Sequence, residues 1–159
     1  MIRLREAIEV PRPIDEAFAY TSNFGNAAQW DPGVADSRKA STGPIGVGTA
    51  FELRVRFGPR SIPMEYAIRE FDRPRRVLLE GKSDSVHALD DIGFVATSRG
   101  TRITYTAEIS LVGVLSAIEP FLKGVLDRVG KNAVRGLQSA LNGESSPPGR
   151  RWLTDLQDH

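Results

Sequence analysis

The sequence predicts one α+β domain in which a curved antiparallel sheet wraps around a single long helix near the carboxyl end. Two observations carry this prediction. Between residues 51 and 109, apolar and polar side chains alternate in five segments that four turn signals separate. From about 113 to 142 the apolar period lengthens to three and four residues, as in an amphipathic helix. One apolar sheet face with one long helix to cover it favours a strongly curved sheet, which leaves space beneath the helix.

Length and composition fit one ordinary globular domain. The chain has 159 residues, and 21 basic against 20 acidic side chains give a net charge of +1. Since that balance supplies no electrostatic attraction for nucleic acid, we expect none as a partner. No apolar run reaches the length of a membrane span, so we expect a cytoplasmic protein with no stable membrane insertion. The absence of cysteine excludes disulfides and thiolate chemistry.

The amino-terminal third begins with a strand and continues through short helices. Residues 2–10 alternate, with isoleucine, leucine and valine on one face, and a pair of prolines ends the strand. The second of these, Pro13, suits the first turn of a helix, and the acidic residues after it suit the positive end of the helix dipole. We therefore predict a helix over 13–20, a second short turn at 24–29, and a weak strand followed by a glycine loop over 33–48.

Pairing the middle strands as simple hairpins fixes which residues face inward. The turn signals lie at 58–61, 72–75, 81–84 and 98–101. Each hairpin then places apolar residues opposite apolar residues, and a slip of one residue would turn a whole strand inside out. The predicted inward row comprises Phe51, Leu53, Val55, Phe57, Ile62, Met64, Tyr66, Ile68, Val77, Leu79, Val86, Ala88, Ile92, Phe94, Ile103, Tyr105, Ala107 and Ile109.

The carboxy-terminal part divides into a helix and a polar tail. The helix is predicted over 113–142, with Pro120 in its first turn or at a kink and a glycine at its end. The remaining residues are polar and interrupted by proline, which predicts a flexible tail with at most a short helix at 152–157. We therefore expect a ligand-binding domain at 1–142 and a tail at 143–159.

Four segments resemble the START-like, helix-grip superfamily, and within it the polyketide cyclase/dehydrase and lipid-transport (SRPBCC) group. They are IEVPRPIDEAFAY at 8–20, WDP at 30–32, GPIGVGTAFEL at 43–53 and GTRITYTAEI at 100–109. The resemblance implies a seven-stranded antiparallel sheet that grips the last helix, two short helices after the first strand, and an internal hydrophobic cavity. The four segments mark turns and strand ends, so the resemblance bears on the fold and leaves the activity open.

Five polar side chains fall on the otherwise apolar inner face: Glu6, Tyr66, Glu70, Asp90 and Tyr105. A carboxylate that faces a low-dielectric cavity has a raised pKa and can exchange a proton near neutrality. The alternative is that Glu6 and Glu70 sit in water at strand ends and that the tyrosine hydroxyls reach the rim. Strict alternation puts Asp90 inside and Asp91 outside, although a bulge beside Gly93 would exchange them.

Histidine, metal and phosphate chemistry have little support in the sequence. The register puts His87 on the outer face opposite Leu78, on the same side as Ser85 and Asp91, where its imidazole would meet water. The other histidine is 72 positions away at the carboxyl terminus, so we predict no metal site. The glycine loop precedes a strand rather than a helix, which predicts a turn near the cavity mouth and no cofactor.

The leading hypothesis is a protein that binds a hydrophobic small molecule, such as a lipid, polyketide, isoprenoid or quinone-like compound, between the sheet and the last helix. Apolar burial would supply most of the affinity and a few polar groups the orientation. The predicted lining comprises Trp30, Phe51, Leu53, Val55, Met64, Tyr66, Ile68, Ile92, Phe94, Tyr105, Ala107, Ile118, Leu122 and Val125. The space could instead be filled by Phe51, Phe94 and Phe121. The sequence does not separate a monomer from a homodimer.

Two other functions stay open. An aromatase/cyclase or dehydratase would use Asp90 or Glu6 to remove an α-proton from a polyketide-like chain, with Tyr105 or Tyr66 stabilising the enolate. The sequence offers no inward histidine–aspartate pair for such an enzyme, so we expect a carrier. A co-chaperone or other interaction module on the same fold is the third hypothesis, and no exposed apolar stripe stands out in the sequence to favour it.

Overall fold

A computed structural model describes residues 1–143, and its elements follow the predicted order. The predicted short helix at 152–157 lies outside the described residues, as does all of the predicted tail except Gly143. Seven strands, three α-helices and two 3-10 turns make up the described chain. The strands are β1 (Ile2–Val10), β2 (Val34–Lys39), β3 (Ala50–Phe57), β4 (Arg60–Asp72), β5 (Arg76–Lys82), β6 (Val86–Thr97) and β7 (Gly100–Leu111). The helices are α1 (Ile14–Ser22), α2 (Ala27–Trp30) and α3 (Glu119–Asn142), with 3-10 turns at Phe24–Asn26 and Gly113–Ile118.

All seven strands form one antiparallel sheet in the order β1-β7-β6-β5-β4-β3-β2. The strands from β2 to β7 follow one another as a meander, and β1 closes the far edge by pairing with β7 along its whole length. Together with the long α3, this is the helix-grip architecture that the sequence predicted.

The hairpin turns differ from the simplest pairing, yet every strand except the end of β4 keeps its predicted faces. Phe57 pairs with Arg60 and Thr97 with Gly100, so two of the turns are two residues long. In the β5–β6 hairpin His87 lies opposite Lys82, and the prediction that it faces Leu78 was wrong. Each of these shifts is an even number of residues, and the alternation of side chains in a strand is unchanged by an even shift.

A β-bulge in β4 reverses one predicted face. Ile68 pairs with Leu79, but Glu70 pairs with Leu78, so Arg69 is the extra residue. As a result Phe71 lies opposite Val77 and packs on the core, while Glu70 is exposed on the outer face. The prediction that Glu70 faces inward was therefore wrong.

The core lies between the inner sheet face and the elements that follow β1. Phe18 of α1 packs edge-on against Phe71 and Phe94, with ring centroids 5.1 and 5.2 Å apart. Phe24 packs in the same way against Tyr66 at 5.3 Å. These aromatic contacts fill the region beneath α1 and the first 3-10 turn.

Helix α3 is packed closely only along its second half. It begins after the 3-10 turn at Gly113–Ile118, with Pro120 in its first turn, and ends at Gly143, whose φ of 74° is a left-handed conformation that glycine adopts readily. Its buried residues, Val134, Leu137 and Leu141, all belong to this second half.

The first half of α3 and the turn before it expose a row of apolar side chains. We call this row the apolar stripe: it consists of Val114, Ile118, Phe121, Val125 and Val129. Two expectations from the sequence are corrected here. Phe121 does not fill the interior, since it is 82% exposed, and an exposed apolar stripe does exist. Periodicity located the apolar face of the helix but not the part of it that the sheet covers.

Candidate functional site

A buried carboxyl group and a phenol are joined on the inner face of the sheet. Asp90 of β6 is 7% exposed, and its Oδ2 accepts a hydrogen bond of 2.8 Å from the hydroxyl of Tyr105 on β7. Asp90 points inward and Asp91 outward, as strict alternation predicted, and the ladder between β6 and β7 runs past Gly93 without a bulge. The structure therefore brings together two of the candidate residues.

Tyr66 contributes a second phenol to the same wall. It lies on β4 directly opposite Gly81 of β5, and its ring covers that glycine, since a Cβ at Gly81 would come within 2.4 Å of the ring. The Tyr66 ring can occupy this position only because Gly81 has no side chain. Its hydroxyl makes no hydrogen bond to any residue between 1 and 143.

Trp30 and Phe24 cover this polar cluster. The Trp30 ring lies edge-on to Tyr105 at 6.3 Å and to Phe24 at 6.2 Å, and Trp30 is 3% exposed. Its Nε1 donates no hydrogen bond within the described chain. A buried indole N–H without an acceptor is costly, so this donor is a group that a bound molecule could satisfy.

Electrostatics make Asp90 a weak acid. The pKa of Asp90 is raised to about 7 as the net result of three effects: burial raises it most, the hydrogen bond from Tyr105 lowers it, and the negative charge of Asp31 raises it. Burial and the charge of Asp90 raise the pKa of both Tyr66 and Tyr105 well above the ordinary value, so both phenols stay protonated. Asp90 is thus the group of this cluster that titrates near neutral pH.

The two glutamates that were predicted to face inward lie in different surroundings. Glu6 of β1 is half-buried on the inner face opposite Tyr105, and it makes no hydrogen bond among residues 1–143. Glu70 lies on the outer face, where Arg76 pairs with both Glu70 and Asp91. Glu6 therefore stays beside the cluster, whereas Glu70 and Asp91 belong to an outer ion pair.

His87 is confirmed as an outer-face residue. Its Nε2 lies 2.9 Å from Oε2 of Glu80, which also pairs with Arg69 and Lys82. Hydrogen bonds from His87 and Arg69 lower the pKa of Glu80 to about 2. Neither Ser85 nor Asp91 makes a hydrogen bond with His87, so the outward grouping of serine, histidine and aspartate forms no triad.

The predicted lining residues fall into two groups by exposure. The buried group belongs to the packed core: it consists of Trp30, Phe51, Leu53, Met64, Tyr66, Ile68, Ile92 and Phe94. The half-buried or exposed group consists of Val55, Tyr105, Ala107, Ile118, Leu122 and Val125. We call the second group, together with the inner-face residues Leu4 and Ile109, the candidate cleft. Its members lie on the inner faces of β1, β3 and β7 and on the first half of α3 with the turn before it.

Sequence reasoning missed two residues of this site. Asp31 was considered only as part of the segment around Trp30, yet its charge acts on Asp90 and on both tyrosines. Phe24 carried no periodic signal, because it lies in a 3-10 turn, although it contacts Trp30 and Tyr66. The tripeptide Trp-Asp-Pro after two short helices was the one signal that pointed to this region.

The described residues offer no cluster of three histidine or acidic side chains arranged to hold a metal ion. None of the helices within 1–143 is long and apolar enough to cross a membrane.

A family model described as polyketide cyclase / dehydrase and lipid transport matches residues 1–142. No curated protein sequence matches the chain significantly.

Several solved structures share the fold at low sequence identity. A START superfamily protein from Mycobacterium smegmatis is 12% identical with a TM-score of 0.74, over 89% of this chain and 97% of that one. The protein TTHA0849 from Thermus thermophilus is 12% identical with a TM-score of 0.73, over 87% and 96% of the two chains. The aromatase/cyclase Zhui from a Streptomyces species is 11% identical with a TM-score of 0.72, over 87% and 92%. At such identities the likeness shows the fold alone.

Proposed function

This chain belongs to the polyketide cyclase / dehydrase and lipid transport family, and we propose that it binds a hydrophobic small molecule in the candidate cleft, with a polar group of the ligand directed at Asp90. The single observation that carries the proposal is the buried Asp90–Tyr105 pair, whose oxygens lie 2.8 Å apart on a largely apolar wall. A few polar groups in an apolar recess are the usual composition of a small-molecule site.

Apolar contact would supply most of the affinity. The side chains available to a ligand in the candidate cleft include Ile109 on the sheet and Leu122 and Val125 on α3. Each 100 Å² of apolar surface removed from water contributes roughly 2.5 kcal/mol, before the entropy lost on binding is subtracted. A lipid, polyketide, isoprenoid or quinone-like molecule has enough apolar surface for this mode of binding.

The polar cluster would orient the ligand. Tyr105 uses its proton on Asp90 Oδ2, whereas Asp90 Oδ1 and the Tyr66 hydroxyl make no hydrogen bond with residues of the described chain. Below about pH 7 Asp90 is protonated and can donate from Oδ1, so that it and Tyr66 would present two donors to a carbonyl or hydroxyl oxygen. The ligand class expected is therefore an apolar skeleton that carries at least one such oxygen.

Binding can be tested by native mass spectrometry of freshly purified protein and by thermal shift with a panel of lipids, polyketides, isoprenoids and quinones. Ala107→Leu would fill the cleft, because Ala107 lies half-buried on the inner face opposite Leu4 and Asp90. Thr106→Leu places the same bulk on the opposite face of the strand and is the matched control. We expect Ala107→Leu to abolish the ligand-induced shift and Thr106→Leu to retain it. A panel that leaves the melting temperature unchanged, with no co-purified mass, would contradict the proposal.

An enzyme is the second candidate, and the titration of Asp90 near neutral pH favours it. As a carboxylate, Asp90 could take an α-proton from a polyketide-like chain, and Tyr66 could donate to the enolate oxygen that forms. Asp90→Asn should then abolish turnover of such a substrate while ligand binding persists. Turnover that survives both Asp90→Asn and Tyr66→Phe would exclude this assignment.

A further inference from the structure

Ligand binding in the candidate cleft explains only part of the apolar stripe, because Ile118 and Val125 belong to both but the other three members do not. Val114 is 92% exposed and Phe121 82% exposed, and neither residue belongs to the candidate cleft. Ile118, Phe121, Val125 and Val129 are spaced by three, four and four positions, so they follow one side of α3, and Val114 lies in the 3-10 turn before it. Exposing a contiguous apolar row to water is unfavourable and marks a surface that meets an apolar partner.

Basic residues accompany the apolar stripe. Arg128, Lys131 and Arg135 are exposed and spaced by three and four positions, so they form a second row on α3, about 90° around the helix axis from the stripe. Helix α3 carries four basic and two acidic residues, and one of the acidic ones, Glu119, is paired with the terminal amine of Met1 at 2.7 Å. The exposed side of this helix is therefore apolar along one row and cationic along the next.

We propose that the apolar stripe and the adjoining basic row dock this protein reversibly on an anionic lipid membrane. An amphipathic helix with a cationic flank lies in the plane of the lipid interface, with its apolar side chains among the upper acyl segments. Phe121 and Val114 are the two members exposed enough to enter the bilayer first. Arg128, Lys131 and Arg135 then face the acidic headgroups, each contributing attraction that salt weakens.

Charge complementarity favours a membrane over a second copy of the chain. Two copies whose α3 helices paired antiparallel through their apolar stripes would bring the same basic rows to one side of the interface. Like charges across an interface oppose association, whereas an anionic bilayer supplies the opposite charge. Docking goes beyond the proposed ligand binding and does not depend on which ligand the cleft holds.

The test is co-sedimentation of the full chain with vesicles of phosphatidylcholine, either pure or mixed with phosphatidylserine. We expect binding to the mixed vesicles that added sodium chloride weakens, and much weaker binding to the pure ones. The double variant Val114→Ser/Phe121→Ser should lower vesicle binding by about tenfold or more, because both anchors are lost. Val95→Ser is the matched control, since Val95 is an exposed apolar residue on the sheet.

A second pair of variants tests the charge. Arg128→Gln/Lys131→Gln should weaken binding to the mixed vesicles, whereas Arg99→Gln/Arg102→Gln, on the exposed end of the β6–β7 hairpin, should not. Undiminished vesicle binding in both α3 variants, or no vesicle binding by the wild type, would overturn docking. The alternative outcome is a wild type that forms a dimer and binds no vesicles. If Val114→Ser/Phe121→Ser then converted the dimer to a monomer, the stripe would be assigned to contact with a second copy. Because Val114 and Phe121 lie outside the cleft, ligand-induced thermal shifts in solution report separately on the proposed function.

Discussion

Tyr105 reaches Asp90 diagonally across the sheet, since the residue directly opposite Asp90 is Ala107 and the residue opposite Tyr105 is Ile92. Because the side chain of Ala107 is small, it leaves room on the inner face for the Tyr105 ring. The Tyr105 hydroxyl donates to the carboxyl group of Asp90 at 2.8 Å. The contact uses only Oδ2 of Asp90, so Oδ1 of this titratable side chain makes no hydrogen bond with Tyr105.

The pH dependence of stability should show the burial of Asp90. The carboxyl group releases its proton near pH 3.8 in the unfolded chain and near pH 7 in the folded one, so the native state binds the extra proton between these values. The contribution of Asp90 to the free energy of unfolding therefore falls as the pH rises from about 4 to about 7, by on the order of 4 kcal/mol. Asp90→Asn lacks this titration, so its stability relative to wild type should increase over the same range, as measured by urea unfolding.

Asp91→Asn is the matched control for that experiment. Asp91 is the next residue on β6 and pairs with Arg76 on the outer face. Asp91→Asn makes the same chemical change one residue along the strand and leaves Asp90 in place. Parallel stability curves for the wild type and Asp90→Asn would contradict the burial of an ionisable Asp90.

Replacing Tyr105 should raise the pKa of Asp90 further. The hydrogen bond from Tyr105 is the interaction that lowers this pKa against burial, so Tyr105→Phe removes it and leaves the carboxylate without a donor. Carboxyl carbon shifts of Asp90, followed by NMR through a pH titration, should give a midpoint above the wild-type value. Tyr66→Phe, which removes a phenol that does not donate to Asp90, should move the midpoint less. A midpoint that falls in Tyr105→Phe would show that another donor holds the carboxylate.

The faces of the strands could be predicted from the sequence because side-chain alternation survives an even error in register. The predicted partner of His87 was wrong by four positions, yet His87 was still placed outside. In the same way Asp90, Tyr66 and Tyr105 were placed on one wall before any contact between them was known. The alternation of side chains was therefore sufficient to predict which strand residues belong to the site.

Three features depended on tertiary structure and left little trace in the sequence. The bulge at Arg69 that turned Glu70 outward carries no glycine or proline to announce it. Asp31 affects the pKa of Asp90 because it follows Trp30, the last residue of α2, which packs on Tyr105. Ile118 and Val125 of the apolar stripe were predicted to line the cavity, since periodicity gives the direction of a helix face and not the distance of the helix from the sheet.

Gly81 should be necessary for the position of Tyr66. A methyl group there would meet the Tyr66 ring at 2.4–2.8 Å, so Gly81→Ala should push the phenol away from the wall and destabilise the fold by about 1–3 kcal/mol. Gly93→Ala is the matched control, because Gly93 also lies in a central strand and nothing within 4 Å would meet its Cβ. Urea unfolding of both variants measures the difference, and equal stabilities would show that the Tyr66 ring does not rest on Gly81.

Two glycines of α3 should respond oppositely to the same substitution, because only the second half of the helix is packed closely. A Cβ at Gly136 would lie 1.8 Å from the carbonyl oxygen of Trp30, so Gly136→Ala must displace α3 from α2 and should cost about 3 kcal/mol. Gly124 lies in the first half with nothing within 4 Å, and there alanine should stabilise the helix by up to about 1 kcal/mol. Thermal unfolding measures both effects, and Trp30 fluorescence should change in Gly136→Ala alone. A destabilised Gly124→Ala would mean that the first half of α3 is packed against the domain, which would leave no opening for the candidate cleft.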